Sequence, residues 1–395
     1  MRVFLRLLCV WATACTSALT HEPVHAPVAF APVAVPPAGP TTFRVLVGGD
    51  VIPHRALIPP ASIGAALAPL AALFRSADVV IVNYETATGE PIASSPPPFT
   101  MAATPDWMRA VVSTHVTSLT LANNHACDLG PTGLALSVTT ARDLGAVALG
   151  ADESDPWKAQ TIAARDGKRV CAVAWTTFVN GQTPCAESHR LAVAKPTREG
   201  HARVARAIRD AVADGCDVVV AIAHGGEEYA AQTQAMMAFA QTAADAGASA
   251  VVFHHPHVVS PLVGVGTPDG RHVPVFASVG NLVSNQGDSW TAATTNQDHR
   301  IVHLNGWTRI GMIADIAFRL DAGRSTTFGY HLVFVENDHV LDSSNPHPRI
   351  VARLLDPETD REIIATLSRD AAGPRGIFDD ACWIRGASSR GPVCH

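Results

Sequence analysis

The stretch Val45-Leu46-Val47-Gly48-Gly49-Asp50-Val51-Ile52-Pro53-His54 decides the fold class, because an apolar, β-branched run stops there on two glycines and a carboxylate. A buried strand that ends this way puts a charged side chain at its carboxyl end, where open α/β sheets gather their ligand sites. Runs of the same kind recur at 79–82, 116–121, 170–175, 218–222 and 250–253. Amphipathic stretches separate several of them. Over 197–212, Val204, Ala207, Ile208 and Ala211 share one helical face while Arg203, Arg206 and Arg209 point outward, and 232–246 has a similar rhythm. Strand and helix in alternation imply βαβ units and an α/β protein. After Val258 the pattern changes to strands at 258–263, 272–279, 309–319 and 327–336, which predicts a second sheet of more antiparallel kind. Residues 347–369 read as surface helices and 371–395 as a loop-rich tail.

The ends of these runs carry a consistent chemistry. Asp50 has His54 four residues on; Asn83-Tyr84-Glu85 closes the second run; Asn123-Asn124-His125 closes the third, with Asp128 just beyond. His224 precedes Gly225, Gly226, Glu227 and Glu228, while His254, His255 and His257 follow the next run and Asn281 a later one. Carboxylate oxygen, amide oxygen and neutral imidazole together suit divalent Mn, Fe or Zn, and two ions can share one bridging carboxylate. Such a centre activates water and neutralises charge on a phosphoryl group, and a histidine left unmetallated can donate the proton. An isolated histidine is more often structural. Repetition at successive strand ends is what turns these into a site, whereas His272, His303 and His331 have no motif around them and read as surface or packing residues. His254 reads as a wall residue.

Taken in order, Gly49-Asp50-Val51, Asn83-Tyr84-Glu85, Asn123-Asn124-His125, His224-Gly225, His255-Pro256-His257 and Ser278-Val279-Gly280-Asn281 resemble the segments GDv, NLE, NNH, HWG, HPH and SLGN of the CapA family of poly-γ-glutamate capsule-synthesis proteins. The resemblance spans about residues 43–340. It implies a metallophosphoesterase-like, four-layer α/β/β/α sandwich holding one or two divalent ions. Carried over residue by residue, it makes Glu85 the bridging carboxylate, with Asn124, His224 and His255 completing one metal site and Asp50 with His257 serving the other. It makes His125 the proton donor beside the substrate, with Asp50 close to the reacting group. Metallophosphoesterases usually place a histidine two residues after the first Asp, and that position is Ile52 here, so His54 is a candidate replacement ligand. Asn281 and Glu228 are candidate substrate contacts, Glu228 being alternatively a partner for ligand imidazoles.

Composition sets the outer bounds. At 395 residues, with 47% hydrophobic and 16% charged residues, the chain is globular, and its net charge of −6 without any basic stripe argues against nucleic acid as a partner. Arg2 and Arg6 precede an apolar stretch too short to span a bilayer, so residues 1–20 read as an export signal. Cleavage falls either near Ala18 to Thr20 or at Ala12-Thr13-Ala14-Cys15, which would lipidate Cys15 and anchor the protein to a membrane. Residues 21–41 hold six prolines and read as a semi-rigid tether. The main domain is expected over 42–345 and a C-terminal helical extension with its tail over 346–395. Export permits disulfides; Cys382 with Cys394 is the expected pair, while Cys171 and Cys216 read as buried thiols and Cys127 as packed beneath its loop.

The function these readings imply is assembly of poly-γ-glutamate or a related capsular polymer at the cell envelope, alongside other capsule-synthesis proteins. A metal-dependent hydrolase-like site would act there on a polymer or peptide-like substrate. Three rivals share the scaffold: a phosphoesterase of small substrates, a peptide epimerase, and a non-catalytic polymer-binding or export factor.

Overall fold

The computed structural model describes residues 41–54, 59–90, 100–181, 185, 190–230, 232–293, 298–321, 324–337, 350–385, 394 and 395. The export signal, the lipidation candidate Cys15 and nearly all of the tether therefore lie outside the described residues. Among the described residues, no helix is long and apolar enough to cross a membrane.

Two sheets face each other. The first runs β16 (Ile350–Leu354), β15 (Ser325–Asn337), β14 (Ile310–Arg319), β1 (Thr42–Val51), β2 (Val79–Tyr84), β5 (Ser118–Thr120), β6 (Val147–Leu149), and β13 (Asn281–Val283) pairs with the far end of β1. The second runs β11 (Leu262–Gly266), β12 (His272–Phe276), β10 (Ala250–His254), β9 (Val218–His224), β8 (Lys168–Thr176), β7 (Gln160–Arg165). A two-stranded ribbon, β3 (Ala87–Thr88) with β4 (Ala102–Ala103), stands apart. Val45, Val47, Ile81, Ala172, Val220 and Val252 fill the space between the sheets.

The alternate residues face the helices. Leu46, Val80 and Val82 pack under α1 (Pro60–Leu67), α2 (Ala71–Arg75), α3 (Pro105–Val112) and α4 (Gly130–Asp143). Val173, Val219 and Val251 pack under α5 (Arg198–Ala213) and α6 (Gln234–Ala246) through Val204, Ile208, Phe239 and Ala240. Strands buried on both faces must be apolar throughout, which is why they read as continuous runs. The result is the expected α/β sandwich with helices on both outer faces.

Two expectations for the C-terminal third need correction. The late strands form no sheet of their own: β14 pairs antiparallel with β1 and extends the first sheet, while β12 pairs parallel with β10 and extends the second. Each parallel core still had an open edge, and the late hairpins satisfy those edges' backbone groups. Residues 347–369 are also not helical throughout. Ile350–Leu354 adds an edge strand to β15, with Ile350 and Ala352 buried, and among the described residues of this stretch only α7 (Arg361–Ser368) is helical. The first sheet therefore runs past residue 345.

Disulfides join Cys127 to Cys185, Cys171 to Cys216 and Cys382 to Cys394. The last pair is the expected one, and it holds the tail where Trp383 and Cys394 form bridges to Tyr330 and Phe328 of β15. Cys171 and Cys216 are not free thiols. The turn before β9 folds Cys216 back beside β8, which carries Cys171, and their Cα atoms are 5.9 Å apart. Cys127 is likewise crosslinked, in the loop that bears His125.

Candidate metal centre

The site forms where the carboxyl ends of β1, β2 and β5 meet those of β8, β9 and β10. Register does the placing. Asp50 on β1 sits between Asn83 of β2 and Asn281 of β13, and across the second sheet Thr176, His224 and His254 stand side by side. The pairing of β1 with β2 shifts between Val47 and Asp50, at the two glycines. A Cβ on Gly49 would lie 2.2 Å from the Gly280 carbonyl oxygen, so only glycine lets β13 approach closely enough for Asp50 N–H to donate to that oxygen at 2.9 Å.

Loops supply the remaining donors. His255 and His257 adopt φ of 102° and 59°, in the left-handed region that L residues with side chains rarely occupy. Each such residue costs about 1–3 kcal/mol and persists only where its surroundings over-determine it. Here the strain turns two rings of one short loop into the same buried space, where His224 and His255 have ring centroids 5.0 Å apart and His255 and His257 5.8 Å.

Glu85 is the centre of the arrangement. Asp50, Glu85 and His224 form one group whose donor atoms all lie within 4.8 Å of one another, and Glu85, His255 and His257 form a second. All five residues are buried. The two groups share Glu85, but they couple Asp50 with His224 and His255 with His257, a different grouping from the one expected. Asn124 joins through its amide oxygen, 2.8 Å from His224 Nε2. Glu85 Oε1 has no hydrogen-bond partner and lies 3.8 Å from His224 Nε2 and 3.7 Å from His257 Nε2.

Electrostatics explain why such a cluster suits a cation. Burial pushes the Glu85 carboxyl well above the usual carboxylate range, and the neighbouring Asp50 charge adds to the effect. Burial would raise Asp50 too, but its hydrogen bond and charge interaction with His257 outweigh that and hold it below the usual value. His257 answers in kind: burial opposes its charge, yet Glu85 and Asp50 lift it to about 9. Burial lowers His255 to about 3 and pulls His224 well below its ordinary value, with the other imidazoles adding to both shifts. The neutral imidazoles of His224 and His255, a carboxylate oxygen with no hydrogen-bond partner and an amide oxygen fit a divalent ion of the Mn, Fe or Zn type, and His257 would have to give up its proton to join them.

Residues beyond the donors hold them in place. Asn83 Nδ2 lies 2.7 Å from Asp50 Oδ1, 3.2 Å from Glu85 Oε2 and 3.2 Å from His224 Nδ1, while its oxygen accepts from Thr120 at 2.9 Å. Its place two residues before Glu85, which lies just past the end of β2, was a usable signal, since residues i and i+2 of an extended chain share a face. Asp128 Oδ2 lies 2.7 Å from His125 Nδ1 and accepts from Met101 N at 2.6 Å, so the His125 ring is oriented by a carboxylate three residues on.

The other residues singled out in the sequence have the following surroundings. Asn281 is fully buried, its oxygen lies 3.1 Å from His257 Nδ1, and its nitrogen donates to Gln286 Oε1 and the Thr308 carbonyl. His54 belongs to neither donor group and lies 3.0 Å from Ser284 Oγ, while Ile52 is buried as an apolar residue. Glu228 is exposed and acts on Glu85, His257 and Tyr229 through its charge. His254 is a buried structural residue, its Nε2 2.9 Å from the Gly48 carbonyl oxygen. His331 is buried beside Asp315, and His272 is exposed.

Sequence reasoning missed the end of β8. Thr177, Phe178 and Asn180 stand in no motif that pointed to the site, yet they pack against His224, His255 and Asn124. Thr177 N–H donates to the His224 carbonyl at 2.9 Å, and Phe178 meets the His255 ring edge-on with centroids 4.9 Å apart. A Cβ on Gly225 would lie 2.2 Å from Thr177 Oγ1, so Thr177 fills the space above the residue where the CapA segment has Trp.

Comparison with known proteins identifies the family. The Bacillus subtilis PGA biosynthesis protein CapA is 28% identical over 226 residues, 55% of this chain and 56% of that protein. The Bacillus anthracis capsule biosynthesis protein CapA is 28% identical over 206 residues, 48% of this chain and 45% of that protein. The chain thus matches about half the length of these curated relatives. Among solved structures, a 2,3-dimethylmalate lyase of the PEP mutase/isocitrate lyase superfamily aligns at 17% identity over 54% of this chain and 59% of that one, and its TM-score of 0.22 carries no argument. The family model for the bacterial capsule synthesis protein PGA_cap matches residues 44–286, a span that contains every donor described above, and the chain belongs to that family.

Proposed function

We propose that this protein is exported to the cell envelope and acts in assembly of poly-γ-glutamate or a related capsular polymer, with one or two divalent ions (Mn, Fe or Zn) held around Glu85. The observation that supports the metal most directly is the buried, partnerless Oε1 of Glu85, shared by two groups of donors. Membership of the capsule-synthesis family supports the biological setting.

A divalent ion there would supply Lewis acidity and positive charge to a phosphoryl or acyl oxygen. The chain's own residues do the rest. His125, oriented through Nδ1 by Asp128, presents Nε2 as the atom that would hold or release a proton. Asn83 and Asn281 hold the donors in register, and Phe178 and Tyr229 wall the imidazoles. The polymer or peptide-like substrate, other capsule proteins as partners, and a membrane anchor through Cys15 are parts of the same proposal.

The test pairs elemental analysis of the purified protein with complementation of a strain lacking the gene. Wild type should carry stoichiometric metal and restore polymer, and Glu85→Ala should do neither. Restoration of polymer by a metal-free Glu85→Ala variant would remove the metal from the function.

A further inference from the structure

The loop that carries Asn124 and His125 is held by the segment that follows β8, which contributes to neither donor group. Beyond the end of β8 at Thr176, the chain crosses the mouth of the site. Asn180 N–H donates to the Asn124 carbonyl at 2.9 Å, Asn180 Oδ1 accepts from Asn124 Nδ2 at 3.4 Å, and Asn180 Nδ2 lies 3.4 Å from both ring nitrogens of His125. The Cys127–Cys185 disulfide fastens the same two stretches a few residues farther along each, with Cα atoms 5.7 Å apart. Both cysteines are almost wholly buried, at 1% and 0% exposure.

The consequence lies in which end of Asn124 faces the metal site. An asparagine amide can sit either way round, and only its oxygen can ligate a cation. With Asn180 accepting from the Asn124 nitrogen, the Asn124 oxygen is turned toward His224 Nε2, 2.8 Å away. We infer that Asn180, held against the site by the Cys127–Cys185 crosslink, is a positioning residue that sets the orientation of Asn124 for metal binding and steadies the His125 ring. This rests on the metal reading of the Glu85 cluster. Groups that orient metal ligands typically change affinity by about 10–100-fold when removed.

The experiment measures Mn²⁺ affinity by titration calorimetry, and thermal stability in chelator, for wild type, Asn180→Ala, Asn180→Asp and the Cys127→Ser/Cys185→Ser double variant. Asn180→Ala and the double variant should each bind Mn²⁺ about tenfold more weakly. Asn180→Ala should melt in chelator within about 2 °C of wild type, since a surface-proximal truncation costs little. Asn180→Asp keeps an acceptor for Asn124 and should recover most of the affinity. Equal affinity in wild type and Asn180→Ala overturns the inference while leaving the metal reading intact. So does a loss in Asn180→Ala that Asn180→Asp fails to rescue and that tracks a fall in melting temperature. Failure of wild type itself to bind Mn²⁺ overturns the metal reading and this inference with it.

Discussion

Nδ1 of His257 lies 3.0 Å from Oδ2 of Asp50, and this contact ties the end of the first strand of one sheet to the loop after β10 of the other. The two residues are 207 positions apart in the chain. Their pairing lowers the carboxyl and raises the imidazole, so it balances one of the two buried carboxylates. Glu85 also feels the His257 charge, 3.7 Å away, yet burial and the Asp50 charge leave its carboxyl raised. Two buried carboxylates thus share one cationic imidazole, an arrangement that could accommodate a further positive charge.

Replacing Glu85 with Gln should have opposite effects with and without metal. In chelator the variant should melt at or above the wild-type temperature, because burial disfavours the ionised form of Glu85, whose Oε1 has no hydrogen-bond partner, and the amide removes that ionisable group at a site where an unsatisfied polar atom costs about 1–3 kcal/mol. With Mn²⁺ added, wild type should gain stability and Glu85→Gln should not. Thermal melts under both conditions decide it, and an equal Mn²⁺-dependent rise in the two proteins would exclude Glu85 as a ligand.

His125 should matter to turnover and little to metal content. If the site hydrolyses phosphate esters, His125→Ala should lower kcat by roughly 10²–10⁴ as expected for loss of a proton donor. Asp128→Ala should lower it less, by about tenfold, since it only orients the ring. Assay of a nitrophenyl phosphodiester with Mn²⁺, alongside elemental analysis, checks both. A variant that loses metal along with activity would make His125 a ligand instead.

The Cys171–Cys216 crosslink joins β8 to the turn before β9 on the face away from the donors, so its role is stability. The Cys171→Ser/Cys216→Ser variant should lose about 2–5 kcal/mol in urea unfolding while binding Mn²⁺ as wild type does. A change in Mn²⁺ affinity would show that the crosslink reaches the site.

Acid should weaken the protein at Asp315, whose carboxylate is buried between Arg44 and His331. Burial raises this carboxyl, but hydrogen bonds from Arg44 and His331 outweigh it and leave the folded-state value below the ordinary one. A depressed carboxyl contributes stability that is fully present above its unfolded value of about 3.9 and disappears as pH falls through the lower folded value. Urea unfolding of Asp315→Asn between pH 5 and pH 2.5 should thus show a shallower acid loss than wild type. Parallel slopes would refute the assignment.

Much of this was legible along the chain because the donors stand at the ends of continuous apolar runs. Such a run announces a strand buried on both faces, and the polar residue that stops it sits at the sheet's carboxyl edge. Asp50, Glu85, Asn124, His224 and His255 were readable for that reason. The pairing of Cys171 with Cys216 was not, since two cysteines in apolar surroundings read alike whether bonded or free. Strand membership misled at Ile350–Leu354, where a short edge strand amid polar sequence gives too few residues for periodicity to show. The partners of Asn281 were not legible either: only the tertiary structure shows its amide oxygen beside His257 Nδ1 and its nitrogen donating to Gln286 and the Thr308 carbonyl.

Residue types and their spacing are properties of the chain, so local patterning sufficed for the α/β class, the strand-end donors and the family. The sharing of Glu85 between two donor groups, the tie between Asp50 and His257, and the reach of Asn180 across to Asn124 depend on distances between segments tens to hundreds of residues apart. Those distances exist only after two sheets have packed and their edges have been paired, and no local rule encodes them.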